Sequence, residues 1–161
     1  MKITKVTRES CPAARFIGKR YPVGAADWGE FWANGWFDEL EKLSGLLDIN
    51  DAGYTEAIRI VDGKPEHWLG MFFAAGTDAP GHFDSVDMPP VEYAVCYLYG
   101  KPDTGELFDY AAHEQCLAAL KEQGLTRKED DWCFQRCNCP RFTTPDEQGN
   151  VILDYGISIE A

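Results

Sequence analysis

The densest chemistry in the chain lies in the segment DDWCFQRCNCPRF, where Cys133, Gln135, Cys137 and Cys139 occupy alternate positions. In a strand these would share one face. A soft metal would need a fourth ligand, such as Cys96 from a paired strand, and C-x3-C-x-C is not the C-x2-C knuckle of common zinc modules. Small polarizable side chains lining an interior or a pocket is the favoured reading, because free cysteine is among the most buried residue types. No metal or cofactor is expected.

Glu56 alternates with Tyr54 and Ile58. It reads either as an acid partly buried beside an aromatic and an aliphatic residue, or as an exposed carboxylate on a sheet edge. Glu92, at a strand start beside two prolines, reads as solvated. Trp68, Tyr93, Tyr97, Phe142 and Tyr155 fall on strands or strand ends, where a ring can stack on a ligand or simply pack a sheet. Trp28, Trp32 and Trp36 recur at helical spacing and are assigned to the core. His67, His82 and His113 are scattered and read as surface or turn residues. No Ser/His/Asp or Cys/His/Asn arrangement can be assembled, and there is no phosphate-cradling glycine loop. The run KEDD at 128–131 reads as a solvated loop.

These residues must be held by strands and helices whose pattern recurs. The first pass is a strand over 11–21, a helix over 27–45 capped by Asp27, a turn at 50–53, and strands YTEAIRIV and HWLGMFFAA. The second is the strand VEYAVCYLYG, a helix from about Glu106 to Gln123 capped by Thr104, and strands WCFQRCNC and VILDYGISI. The passes are offset by about 80 residues, with Trp28 near Phe108 and Tyr54 near Trp132, which predicts a duplicated β-α-β-β unit. Residues 76–90, rich in Gly, Pro and Asp, read as the linker. Both helices would cover one side of the sheets, leaving the other sides to face each other across a cleft suited to a small ligand.

Composition narrows the function classes. The 161 residues suit one domain, and 45% hydrophobic with 13% aromatic content supplies a core. With 15 basic and 27 acidic residues the net charge is -12, which repels phosphate backbones, so no direct nucleic-acid binding is expected. No apolar run approaches a membrane span, and no export signal precedes the first strand. A chain of this length with a good core does not need its six cysteines as staples, so a reduced, cytoplasmic protein is expected.

HWLGMFF, then the turn in APGHFDSVDMPP, then VEYAVCYLYG, then FQRCNCPRFTTPDEQGNVILDYGISI follow one another as in a known family. In their order and spacing they resemble the GyrI-like small-molecule-binding domain, the effector-binding domain of AraC-type bacterial regulators. The resemblance covers most of the chain. It implies an α+β fold of two β-α-β-β units with pseudo-twofold symmetry, antiparallel sheets with helices on one side, and a central ligand cleft. A single domain over 1–161 would comprise a first unit of about 1–76 and a second of about 88–161.

The resemblance also implies an aromatic cleft holding a buried acid that attracts cationic, lipophilic compounds. At the family's usual glutamate stands Gln135, and at its usual tyrosine two residues on stands Cys137. A neutral amide cannot supply a carboxylate's attraction, so either Glu56 or Glu92 provides the charge or the ligand is neutral. The expected ligand-binding set is Tyr54, Glu56, Trp68, Tyr93, Tyr97, Gln135, Cys137, Phe142 and Tyr155. The expected ligand is hydrophobic or aromatic, cationic if an acid lines the cleft.

Family members include domains joined to a helix-turn-helix, stand-alone proteins, and relatives of hydrolases that open strained rings in cyclopropane-containing toxins. The sequence is expected to be a stand-alone binding protein serving transcription regulation or drug and toxin resistance. A hydrolase using Glu56 as its acid, and an acidic inhibitor whose protein partner is gyrase or another DNA-acting enzyme, are the competing readings.

Overall fold

The computed structural model describes residues 1–47 and 53–161, so most of the turn expected at 50–53 lies outside the described residues. The strands are β1 (Lys2–Cys11), β2 (Ala14–Tyr21), β3 (Tyr54–Val61), β4 (Lys64–Ala74), β5 (Asp84–Met88), β6 (Val91–Gly100), β7 (Cys133–Cys137) and β8 (Val151–Ile159). The helices are α1 (Trp28–Ala33), α2 (Trp36–Glu41) and α3 (Tyr110–Glu122). The strands form one eight-stranded antiparallel sheet in the order β1-β6-β8-β7-β3-β4-β2-β5. Its middle six strands read as two matching triplets, β6-β8-β7 and β3-β4-β2, joined through β7 and β3. This is the mixed α+β, pseudo-twofold arrangement expected from the repeat.

Two strands depart from expectation. β1 pairs with β6 at one margin, and β5, expected to be linker, pairs with β2 at the other. Both are edge strands with mostly exposed or half-exposed residues, so they lack the alternating apolar signal that marks an inner strand. Their partners are crossed: the strand leading into each unit completes the sheet of the other.

The expected helix over 27–45 is instead two short helices. Asp27 caps α1 as predicted, its Oδ1 accepting from the Glu30 N–H at 2.9 Å. Gly35, in the left-handed region at φ 67°, then redirects the chain before α2. A β-carbon strains that conformation, which glycine adopts freely. Helices of six residues do not hold on their own. Complete burial of Phe31, Phe37 and Leu40 against Ile17, Leu69 and Phe73 anchors these two, each such side chain contributing about 1.5–3 kcal/mol. α3 starts later than expected, capped by Asp109, whose Oδ1 accepts from the Ala112 N–H at 2.8 Å, rather than by Thr104. The preceding turn is held by Glu106, which accepts from the Met1 ammonium at 2.6 Å and the Lys101 N–H at 2.7 Å.

All three helices pack on one face of the sheet, α1 and α2 over β2 and β4, α3 over β6 and β8. The other face curls on itself and needs no helix. Phe134 packs there edge-on against Phe72 and Tyr93, at centroid distances of 5.8 and 4.9 Å. On the same face Arg136 reaches Asp154 at 3.0 Å and Glu9 at 3.4 Å, although two strands separate β1 from β7. That face is therefore largely filled by its own aromatic core, and toward its β2–β4 margin it carries a separate cavity of about 920 Å3 lined by Arg20, Arg59, Glu66 and Trp68. No helix among the described residues is long and apolar enough to cross a membrane.

Candidate functional site

Over β3 and β7, between α1 on one side and the turn before α3 on the other, the helical face carries a cavity of about 980 Å3. That is at the upper end of the range of small-molecule sites. Its floor is the middle of the sheet: Tyr54, Glu56 and Ile58 from β3, His67 from β4, and Gln135 and Cys137 from β7. Trp28 and Trp32 of α1 form one wall, and Pro102, Phe108, Phe142 and Thr143 form the other, with Cys139 beside them. Strand alternation puts Tyr54, Glu56 and Ile58 on this face, and the register sets Glu56 directly opposite Gln135.

Both oxygens of the Glu56 carboxylate are engaged. The Trp28 indole N–H donates to Oε2 at 3.2 Å, and His67 Nε2 is hydrogen-bonded to Oε1. An acid is thus held at the floor of an aromatic cavity, and no lysine or arginine is among the lining residues. Burial foremost, then the charges of Glu56 and Asp154, pushes the Cys137 thiol up to about 12, so it is a neutral lining group at physiological pH. Tyr54 is likewise raised, by burial first and then by the hydrogen bond its hydroxyl donates to Glu41 of α2.

The far wall is fixed from beneath. Asp154, fully buried on β8, accepts from Arg136, from Asn138 Nδ2 at 2.7 Å and from Arg141 Nε at 2.8 Å. This ties down the turn that carries Cys139 and Phe142. Charges removed from water in this way are costly unless every one is paired.

Of the residues singled out from the sequence, Tyr54, Glu56, Gln135, Cys137 and Phe142 come together in this cavity. Trp68, Tyr93 and Tyr97 do not: they lie on the opposite, curled face, packed among Phe16, Phe72 and Phe134. They sit at the other parity of strands buried on both sides, so aromatic content alone did not tell the faces apart. Tyr155 shares the face and the register row of Gln135 but is covered by α3, its hydroxyl bonded to His113 Nδ1 at 2.8 Å. Glu92 is remote, paired with Arg8 and Ser10 at the sheet margin, which leaves Glu56 as the carboxylate of the cavity.

Three readings need correction. Trp28 and Trp32 are cavity walls rather than buried core, because Phe31 takes the buried position of α1 and the turn at Gly35 brings Phe37 and Leu40 of α2 in to fill the rest. His67 is no turn residue but an inward position of β4, in line with Leu69, Met71 and Phe73; that alternation was the available signal. His113 is half-buried on the sheet-facing side of α3, bonded to Tyr155 of β8, rather than exposed. As for the cysteines, the strand ends at Cys137 and leaves Cys139 exposed beyond it, and among the described residues no group of three or more His, Cys, Asp or Glu side chains converges as a metal site would.

No family model matches the chain. No curated protein matches it either. Solved structures do. A candidate bacterial transcription regulation protein from Staphylococcus aureus MU50 superposes with a TM-score of 0.67 at 16% identity, covering 98% of this chain and 99% of that one. SAV2435, in its structure bound to tetraphenylphosphonium, gives 0.72 at 12% identity, covering 98% and 95%. The EcmrR C-terminal domain gives 0.57 at 11% identity, covering 97% of each chain. At these identities the likeness is one of fold: the chain has the GyrI-like fold of these structures.

Proposed function

We propose that this chain is a small-molecule-binding protein of the effector-binding kind, and that it captures a multi-ring aromatic compound carrying a positive charge. The observation that carries the reading is Glu56, a carboxylate on the floor of an aromatic cavity with no lysine or arginine in its lining. A cation there gains the Coulomb attraction of the acid and the faces of Trp28, Trp32 and Phe108. Trp32 and Phe108 remain 45% and 41% exposed at the two walls, apolar surface that a bound ring system would cover. SAV2435, which shares the fold, was solved with a lipophilic phosphonium cation. In this reading ligand capture serves a regulatory or drug-response role, and Gln135 orients the ligand by hydrogen bonding where other family members are expected to carry the acid.

The test is a titration of intrinsic tryptophan fluorescence with tetraphenylphosphonium and with neutral triphenylphosphine oxide. Saturable quenching by both is expected, tighter for the cation, with that difference lost in Glu56→Gln. Absence of saturable quenching and of calorimetric heat with either compound would overturn the reading.

A further inference from the structure

Resting on the ligand-binding reading above, we propose that His67 gates the cavity: a proton on its imidazole competes with an organic cation for Glu56, so capture of the cation is coupled to release of that proton. Among the lining residues Glu56 is the one carboxylate and His67 the one side chain able to become positive. With the imidazole neutral the Glu56–His67 pair carries one negative charge; with imidazolium it carries none. Contact between Glu56 Oε1 and His67 Nε2 makes the two charges a single unit.

The surroundings leave these two groups to each other. On β2 the register partner of His67 is Tyr21, whose hydroxyl donates to Glu30 of α1 at 3.2 Å. On β3 the partner is apolar Ile58, and Tyr54 further along donates to Glu41 of α2. Asp27 is engaged in capping α1. On β7 Cys137 is held neutral by burial, and Cys139 lies past the strand end. Lys19 of β2 lies over the Trp36 ring, 4.8 Å from its centroid, and Glu66 beside His67 faces the other side, where it holds Arg59 at 2.6 Å. No other ion pair among the described residues therefore involves Glu56 or His67.

The proton balance is simple. A site with His67 protonated takes up the cation and gives one proton to solvent; a site with His67 neutral takes it up with no exchange. Histidine is the side chain whose ordinary charge change falls between pH 5 and 8, which sets the range the experiment covers. Linkage makes the coupling reciprocal: protons weaken cation binding by the factor by which the cation weakens proton binding.

The experiment is calorimetry of tetraphenylphosphonium binding to the full chain at about pH 6, in buffers of different ionisation heat. It is paired with affinities measured between about pH 5.5 and 8. The expected result is proton release on binding and an affinity about tenfold weaker at the acid end, with neutral triphenylphosphine oxide showing neither. His67→Gln should flatten the pH dependence, while His82→Gln leaves it unchanged. Proton release is read on the unaltered protein, so the test stands even if His67→Gln fails to fold. Cation binding without proton release, or with the same pH dependence in folded His67→Gln, overturns the gate while leaving the ligand-binding reading intact. Failure of both compounds to bind overturns that reading and the gate together.

Discussion

Glu56 and Gln135 stand opposite each other as the middle pair of the ladder that joins β3 to β7. They are also separated by about 80 residues, the repeat offset, so each occupies the position of the other in its own unit. The walls obey the same relation, with Trp28 on one side and Phe108 on the other. Where the family resemblance places the acid in the second unit, this chain holds it in the first, across the axis. The cavity keeps one carboxylate on its floor under either arrangement.

That relation predicts the outcome of a swap. Glu56→Gln should lower tetraphenylphosphonium affinity by about tenfold or more, and adding Gln135→Glu to it should restore much of the loss. Recovery would be incomplete, because Trp28 and His67 stand ready to hold a carboxylate at 56 and not at 135. Calorimetric titration of the single and double variants measures both effects.

Asp154→Ala removes the acceptor shared by Arg136, Asn138 and Arg141 and leaves Arg136, almost wholly buried, with Glu9 alone at 3.4 Å. A loss of about 3–5 kcal/mol is expected. In thermal denaturation this should appear as a fall in melting temperature of roughly 10 °C.

His113 adds an acid-sensitive contribution to stability. Burial first, and the charge of Arg127 second, hold its proton affinity below that of an ordinary histidine. The unfolded chain therefore takes up a proton more readily than the folded one. The stabilisation is complete above the unfolded value of about 6.5 and is lost as pH falls toward the depressed folded value. Urea midpoints should accordingly drop between pH 7.5 and pH 5 more in the native protein than in His113→Gln.

Thiol labelling should separate neighbours. Cys139 is exposed at the cavity wall, whereas Cys137 is buried and its thiol is held up at about 12. At pH 8 a disulfide reagent should label Cys139 in a fast phase that disappears in Cys139→Ser, and tetraphenylphosphonium should slow that phase. Cys137 should react only on unfolding.

The parts of this fold that were legible are those whose burial leaves a periodic trace. β3 and β8 match the expected segments because their sequences alternate, β6 because its run is apolar almost throughout, and Asp27 announced α1. β1 and β5 were missed since an edge strand is satisfied by a polar sequence, and one helix became two because Asn34-Gly35 interrupts a stripe whose spacing continues across it. At the site, alternation brought Glu56 and Gln135 onto shared faces. It could not tell the helical face from the curled one, because both are buried and both are aromatic; hence the misplacement of Trp68, Tyr93 and Tyr97. Likewise a helical stripe looks the same whether it packs a core or walls a cavity, so spacing alone does not separate Trp28 and Trp32 from core residues.

The crossed edge strands have a consequence for how such a molecule can be divided. β1 is bonded to the second unit and β5 to the first, so neither half owns a finished sheet. A cut in the connection near Gly76 would not release two autonomous folds; the fragments should stay clasped, each lending the other its outermost strand. Separately produced halves should find each other and reconstitute the cavity, whereas either alone should expose a raw sheet edge and aggregate.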